Sequence, residues 1–179
     1  MQDHINQQVM LLYEAHHRDV YHFLLYFTGN RNDAEDLTQE VFIRVMKSWE
    51  RFDYRSDQKT WLFAIAKYAA IDHYRKKKVQ SFFSANWLLR LATTEGLPEK
   101  EIESKEEEQE LARAIQSLSS HYRMVVILRG IKGYSVKETA EILECSESQV
   151  KVSLHRALKK LQKELHGRIG GEWYNGLAK

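Results

Sequence analysis

Ser135-Val-Lys-Glu138-Thr-Ala140-Glu-Ile-Leu143-Glu144-Cys145-Ser146-Glu-Ser148-Gln149-Val150-Lys151-Val152-Ser-Leu154-His155-Arg156-Ala157 is the stretch on which the fold turns. It holds two helix-start signals, S-x-x-E at Ser135/Glu138 and S-x-x-Q at Ser146/Gln149. In each, the serine hydroxyl and the later side chain cap each other's backbone N–H groups. The spacing leaves room for a helix of about two turns over Val136–Leu143, a break at Glu144-Cys145, and a longer helix from about Glu147 to Leu165. Val150, Leu154, Ala157, Leu158, Leu161 and Leu165 line one face of that second helix. A short helix, a tight turn and a longer basic helix make a helix-turn-helix. Ala140 is small enough for the crossing point, and Leu143, Cys145 and Val150 can hold the helices together. Glu144 stands where such turns often place glycine, so this position has to take a turn conformation with a side chain attached.

The opposite face carries Ser148, Gln149, Lys151, Val152, His155, Arg156 and Lys159, followed by Lys160. Its first residues suit base edges in a major groove, and Arg156, Lys159 and Lys160 suit phosphates. An ordinary helical hairpin with a solvated basic face explains the charges as well. The paired capping boxes at this separation favour DNA binding. Cys145 reads as a small buried residue rather than a reactive thiol.

Upstream, helical periodicity dominates. Val9, Leu12, Tyr13, Val20, Phe23, Leu24 and Phe27 mark one face of a helix over Gln7–Thr28, ended by Gly29-Asn30. Asn32 with Glu35 offers a cap for a second helix whose stripe is Ala34, Leu37, Val41, Val45 and Trp49. Asp53–Gln58 reads as a loop. A third helix spans Thr60–Lys78, with Leu62, Ile65, Ala66, Ala69 and Ile71 among its apolar positions. Leu111, Ile115 and Leu118 form a stripe near the start of the second half, and Ser119 or Ser120 caps a helix holding Met124, Val125 and Leu128. Between the halves, Phe82, Phe83, Trp87, Leu88, Leu89 and Leu91 form an apolar island, either a short docking helix or a partner-binding patch.

Composition supports an all-α protein. The 179 residues contain one proline, Pro98, and eight glycines, so helix breakers are few. The net charge of +2 conceals a partition: +1 over residues 1–78, −5 over 79–110 and +6 over 111–179. The acidic stretch with the proline reads as a boundary, and the basic end hints at nucleic acid. No apolar run approaches the ~20 residues that span a bilayer, and Met-Gln-Asp-His does not begin a signal peptide. A cytoplasmic protein is expected. The single cysteine excludes an internal disulfide and a cysteine-rich zinc site.

Two surfaces stand out in the first half. Asp33, Asp36, Glu40, Arg44 and Lys47 recur at helical spacing, with Gln39 and Ile43 alongside and Phe42 and Met46 to one side. A solvated face with i,i+4 support explains the charges, but the apolar residues suggest a grip on another protein. The third helix mixes Trp61, Tyr68, His73 and Tyr74 with Arg75-Lys76-Lys77-Lys78. Core packing explains any one aromatic, and helix-dipole compensation explains a terminal lysine run. Together they suit single-stranded DNA, whose bases stack on rings and whose backbone follows cations.

Asp33-Ala-Glu-Asp-Leu-Thr-Gln-Glu-Val-Phe-Ile-Arg44 and Lys59-Thr-Trp-Leu-Phe-Ala-Ile-Ala-Lys-Tyr-Ala-Ala-Ile-Asp-His-Tyr-Arg-Lys-Lys resemble domain 2 of bacterial RNA polymerase sigma factors of the extracytoplasmic-function class, group 4 of the sigma-70 family. Tyr134–Ala157 resembles their domain 4. The likeness covers about residues 5–79 and 106–165, in the family's order. It implies two small helical domains, a sigma-2-like bundle over 1–79 and a sigma-4-like helix-turn-helix over 106–166. A flexible acidic linker over 80–105 joins them, and a tail follows over 167–179. It implies that Asp36, Gln39, Glu40, Ile43 and Arg44 grip the clamp helices of the largest subunit of core RNA polymerase. Trp61, Tyr68, Asp72, His73, Arg75 and Lys76 would open the minus-ten element, and the helix from Ser146 would read the minus-thirty-five element through Ser148, Gln149, Lys151, Val152, His155, Arg156 and Lys159. The partners implied are core polymerase, promoter DNA as duplex and single strand, and an anti-sigma factor, membrane-bound forms included, within a stress or envelope response. No cofactor and no small-molecule substrate are implied.

A one-component regulator would share the helix-turn-helix, but an aromatic-basic helix serves no purpose in a ligand sensor. An enzyme is disfavoured because no H-E-x-x-H, phosphate loop or nucleophile elbow is present.

Overall fold

A computed structural model describes residues 2–83 and 106–165. The apolar island beyond Phe83, most of the expected linker and the tail from Gly167 lie outside them. Every regular element among the described residues is a helix: α1 (Gln2–Thr28), α2 (Arg31–Ser48), a 3₁₀ turn (Trp49–Arg51), α3 (Gln58–Phe83), α4 (Glu106–Ser117), α5 (Ser120–Val126), α6 (Val136–Leu143) and α7 (Glu147–Glu164). A π turn over Ile127–Ile131 continues α5.

α1 ends where Gly29 takes a left-handed conformation (φ +66°) and its N–H bonds to the Leu25 carbonyl at 2.8 Å. A Cβ there would sit 2.9 Å from Gln116, so the turn needs glycine for space as well as for its backbone angle. Asn30 caps α2 by accepting from Asp33 N at 3.0 Å. The expected cap at Asn32 is therefore displaced by two residues, because Asn30 has the extended backbone that a cap requires. α3 runs five residues past Lys78, so the cluster Arg75–Lys78 lies inside a helix and does not compensate a terminal dipole.

The expected stripes of α1 and α2 are buried, with two corrections. Tyr13 turns outward, stacks on His17 at 4.7 Å and meets Phe42 edge-on at 4.8 Å. Phe42 is in turn buried and adds nothing to the exposed apolar face of α2.

The two helical groups do not stand apart. Buried side chains of α1–α3 and of α4–α7 form one continuous apolar cluster. Phe63 on α3 meets Tyr134 edge-on at 5.2 Å, and Lys132 reaches Asp19 on α1 at 2.8 Å. Arg123 is buried and donates to the carbonyls of Phe27 (2.7 Å), Leu118 (3.1 Å) and Gln116. Gln116 itself donates to the carbonyls of Tyr26 and Phe27. These are the last carbonyls of α1, which have no acceptor role left inside their own helix. A buried guanidinium is tolerable because its hydrogen bonds replace the water it has lost.

Candidate nucleic-acid and polymerase interfaces

The helix-turn-helix forms as its caps require. Ser135 N–H donates to Glu138 Oε2 at 2.7 Å, while Ser135 Oγ accepts from Glu138 N at 3.1 Å. The matching pair at Ser146 and Gln149 measures 2.8 and 3.2 Å. Between them Glu144 is left-handed (φ +55°), Cys145 N bonds to Ala140 O at 3.0 Å and Glu144 N to Glu141 O at 3.3 Å. This is a Schellman ending with glutamate in the glycine position. Ala140, Ile142, Val150, Leu154, Ala157, Leu158 and Leu161 are buried and fix α7 against α6 and α5.

Ser148, Gln149, Lys151, Val152, His155, Arg156 and Lys159 all lie on the exposed face of α7. A shallow hollow of about 320 Å³ opens among Ser148, Gln149, Val152, Arg156, Cys145 and His121. His121, which sequence reasoning passed over, borders it from α5 with its Nε2 3.0 Å from Ser153 Oγ. Gln149 is only half available, because its carbonyl oxygen is committed to the cap. It retains its donor for a base or phosphate, while one lone pair of its oxygen is already engaged, which disfavours the paired donor–acceptor contact that distinguishes adenine.

On α2, Asp36, Gln39, Ile43, Met46 and Lys47 are exposed, and Ile43 and Met46 keep 51 % and 52 % of their surface in solvent. Asp33, Glu40 and Arg44 are only half-exposed. Glu40 pairs with Arg44, which reaches Asp72 on α3 at 3.1 Å. Asp33 pairs with Lys77 and approaches His73 Nε2 at 3.3 Å. The two residue sets expected to serve different partners are thus joined by ion pairs between α2 and α3, each worth no more than ~1 kcal/mol at this exposure.

Trp61, Tyr68, Asp72, Arg75 and Lys76 share one side of α3 by helical spacing, and His73 is turned toward α2. Trp61 is half-buried against Phe52 (4.7 Å) and Trp49 (5.8 Å). Tyr54, a residue not singled out in the sequence, extends this aromatic group from the loop. It packs on Phe52 at 4.6 Å with a left-handed backbone (φ +57°). Tyr74 faces the other module, beneath the guanidinium of Arg123 and beside Phe27. Tyr68 is 45 % exposed, yet its hydroxyl donates to Glu144 Oε2 at 2.5 Å. The same carboxylate pairs through Oε1 with Lys67 at 3.2 Å, and the Lys67 ammonium lies 3.9 Å from the Tyr68 ring centre. The phenol's hydrogen bond, with the Lys67 charge, holds the Glu144 carboxyl below its usual range, and Tyr68 is pushed up in return.

Residues 12–79 match the family described as Sigma-70 region 2, and residues 108–161 match Sigma-70, region 4. The ECF RNA polymerase sigma factor SigX of Bacillus subtilis (strain 168) is 39 % identical over 165 residues, covering 90 % of this chain and 85 % of the relative. The chain belongs to the ECF RNA polymerase sigma factors. SigW of the same organism is 34 % identical over 158 residues, with 82 % of each chain covered. Among solved structures, the sigma factor RpoE in complex with the anti-sigma factor NepR from Bartonella quintana aligns with a TM-score of 0.71 at 23 % identity, covering 94 % of this chain and 99 % of that one. CnrH in complex with the cytosolic domain of CnrY follows at 0.66 and 23 %, covering 91 % and 90 %. These two likenesses bear on the fold. Sigma factors are non-enzymatic initiation factors that bind core RNA polymerase and promoter DNA. Among the described residues of this sigma factor no group of side chains is arranged to hold a metal, and no helix is long and apolar enough to cross a membrane.

Proposed function

We propose that the sigma factor divides promoter recognition between its two modules. The sigma-2-like module over 1–79 docks on core polymerase and opens DNA, and the helix-turn-helix over 106–166 reads the upstream element. Residues 80–105 connect them and 167–179 follow. On this reading the sigma factor works in the cytoplasm beside the polymerase, and an anti-sigma factor controls it, as NepR accompanies RpoE in the Bartonella complex.

The observation that carries the reading is the face of α7: seven polar, basic or small residues, all exposed, on a helix anchored by two reciprocal caps. Such a face is ready for a major groove without rearrangement. Arg156 and Lys151 can donate to guanine O6 and N7 or to phosphate, Val152 can meet a thymine methyl, and Lys159 suits the backbone. On α2, Asp36, Gln39 and Ile43 with Met46 present an apolar centre rimmed by polar groups, a pattern suited to a protein partner, with Glu40 and Arg44 at its edge. On α3, Trp61, Tyr68, Asp72, His73, Arg75 and Lys76 are assigned to the opened strand. No cofactor enters, since binding energy to exposed bases drives the opening.

Transcription reconstituted from purified core polymerase, the chain and a genomic fragment library tests this. Promoter-specific transcripts dependent on the chain are expected, and their absence on every fragment refutes the assignment.

A further inference from the structure

We propose that Lys67 and Tyr68 form a contact site for single-stranded DNA that Glu144, from the turn of the helix-turn-helix, holds shut in the closed protein. The inference rests on the reading of α3 as the strand-opening helix and adds a residue and a gate to it.

Lys67 is the one buried lysine among the described residues, with 4 % of its surface exposed. A buried ammonium must be paired. Its partner comes from the other module, 77 positions along the chain, and the Glu144 side chain is itself 57 % exposed. The carboxylate occupies the place an anion would take. One oxygen meets the ammonium, the other meets the phenol, and the Tyr68 ring lies beside both. With Glu144 withdrawn, a cation without its carboxylate is left beside an aromatic ring that is already partly exposed. That pairing of backbone charge with a stacking surface is what single strands bind.

The closed state cannot persist on a promoter. Elements near minus ten and minus thirty-five lie about 25 base pairs apart, roughly 85 Å at 3.4 Å per step. In the closed protein the turn preceding α7 touches α3. Reading both elements at once therefore separates Glu144 from Lys67, so strand contact becomes available only when the modules part. A free sigma factor is thereby kept from unproductive single strands.

The test uses the full chain without polymerase and a short fluorescein-labelled oligo(dT) strand followed by anisotropy. Glu144→Gln removes the charge and keeps the turn. It is expected to tighten strand binding about tenfold. Adding Lys67→Met should return affinity to the wild-type value. Tyr68→Phe, which keeps the ring and drops the hydroxyl, should give a smaller gain. Alkylation of Cys145, the single thiol beside the gate, reports opening independently and should accelerate in Glu144→Gln. Unchanged strand affinity in Glu144→Gln overturns the proposal, whether or not alkylation rises. So does a gain that survives Lys67→Met. If the wild-type chain supports promoter-specific transcription while these variants bind alike, the gate alone fails. If it supports none, the underlying assignment of α3 fails.

Discussion

α7 and α3 are both expected to meet DNA, and they are prepared for it differently. The outer face of α7 is exposed along its length, and its anchors are local: two caps and a row of buried aliphatic side chains. The working side of α3 is half-covered, tied to α2 through Arg44–Asp72 and to the helix-turn-helix through Tyr68–Glu144. Duplex reading needs only a rigid face offered to a groove, so it can be preformed. Holding unpaired bases needs apolar rings in the open, which a protein in water keeps partly covered until the ligand arrives.

The comparison breaks most severely if the modules lose their shared core. Phe63 is fully buried on α3 and meets Tyr134 of the other module. Phe63→Ala should cost about 3–5 kcal/mol and split one urea transition into two, with helices α1–α3 melting first. A single transition with unchanged midpoint in circular dichroism would show that the cluster is not shared. Arg123→Met comes next. It keeps bulk over Phe27 and Tyr74 but takes a donor away from the carbonyls of Phe27, Gln116 and Leu118. About 2–3 kcal/mol should be lost, measured as a lower midpoint in urea.

The caps of α6 and α7, the stripes of α1 and α2 and the exposed face of α7 were legible because they follow from local pattern. Periodicity says which residues share a face and caps say where helices begin. Neither says what lies opposite. The roles of Lys67, Arg123 and Gln116 depend on partners 77, 96 and 90 positions away, and no spacing rule reaches that far. Phe42 and Tyr13 exchanged their expected environments because two helices had to pack before either face was defined. The N-cap at Asn30 was missed for a smaller reason: Asn30 and Asn32 both satisfy the composition rule, and the left-handed Gly29 selects the first.

The open face of α7 yields the next effect. Arg156→Ala should lose about 1–3 kcal/mol of discrimination at one position of the upstream element, read from selection on randomised duplexes. Uniform weakening across all sequences would reassign Arg156 to phosphate. Ser146→Ala acts on the same helix from behind. It removes the hydroxyl that accepts from Gln149 N and leaves in place the residue 146 backbone N–H that donates to Gln149 Oε1. Stability should fall by about 1 kcal/mol. Because Gln149 Oε1 still accepts from that N–H, base preference at the upstream element should stay as in the wild-type chain, and a stronger adenine preference would show that the hydroxyl is what holds the Gln149 side chain in the cap.

Acid gives the smallest and most diagnostic change. Hydrogen bonding to Lys132 holds the Asp19 carboxyl low, the Tyr68 phenol does the same for Glu144, and Ser135 does so for Glu138. A carboxyl depressed by folding contributes stability that is fully present above its unfolded value, about 4–4.5, and is lost as the pH falls through the folded value. His16 acts in the same direction one step earlier. Burial, with Lys59 nearby, lowers it, so the folded state resists its protonation and stability begins to decline below about pH 6.5. Two of the carboxyls, Asp19 and Glu144, cross between modules, whereas Glu138 is a local cap. Acid should therefore loosen the closed arrangement before it unwinds α6, and Cys145 alkylation, corrected for intrinsic thiol reactivity, should rise while helical ellipticity holds. Glu144→Gln should flatten the part of that rise below about pH 4.5 and leave the His16 part intact. Identical profiles in the two proteins would mean that the Glu144 bridge carries no share of the closure.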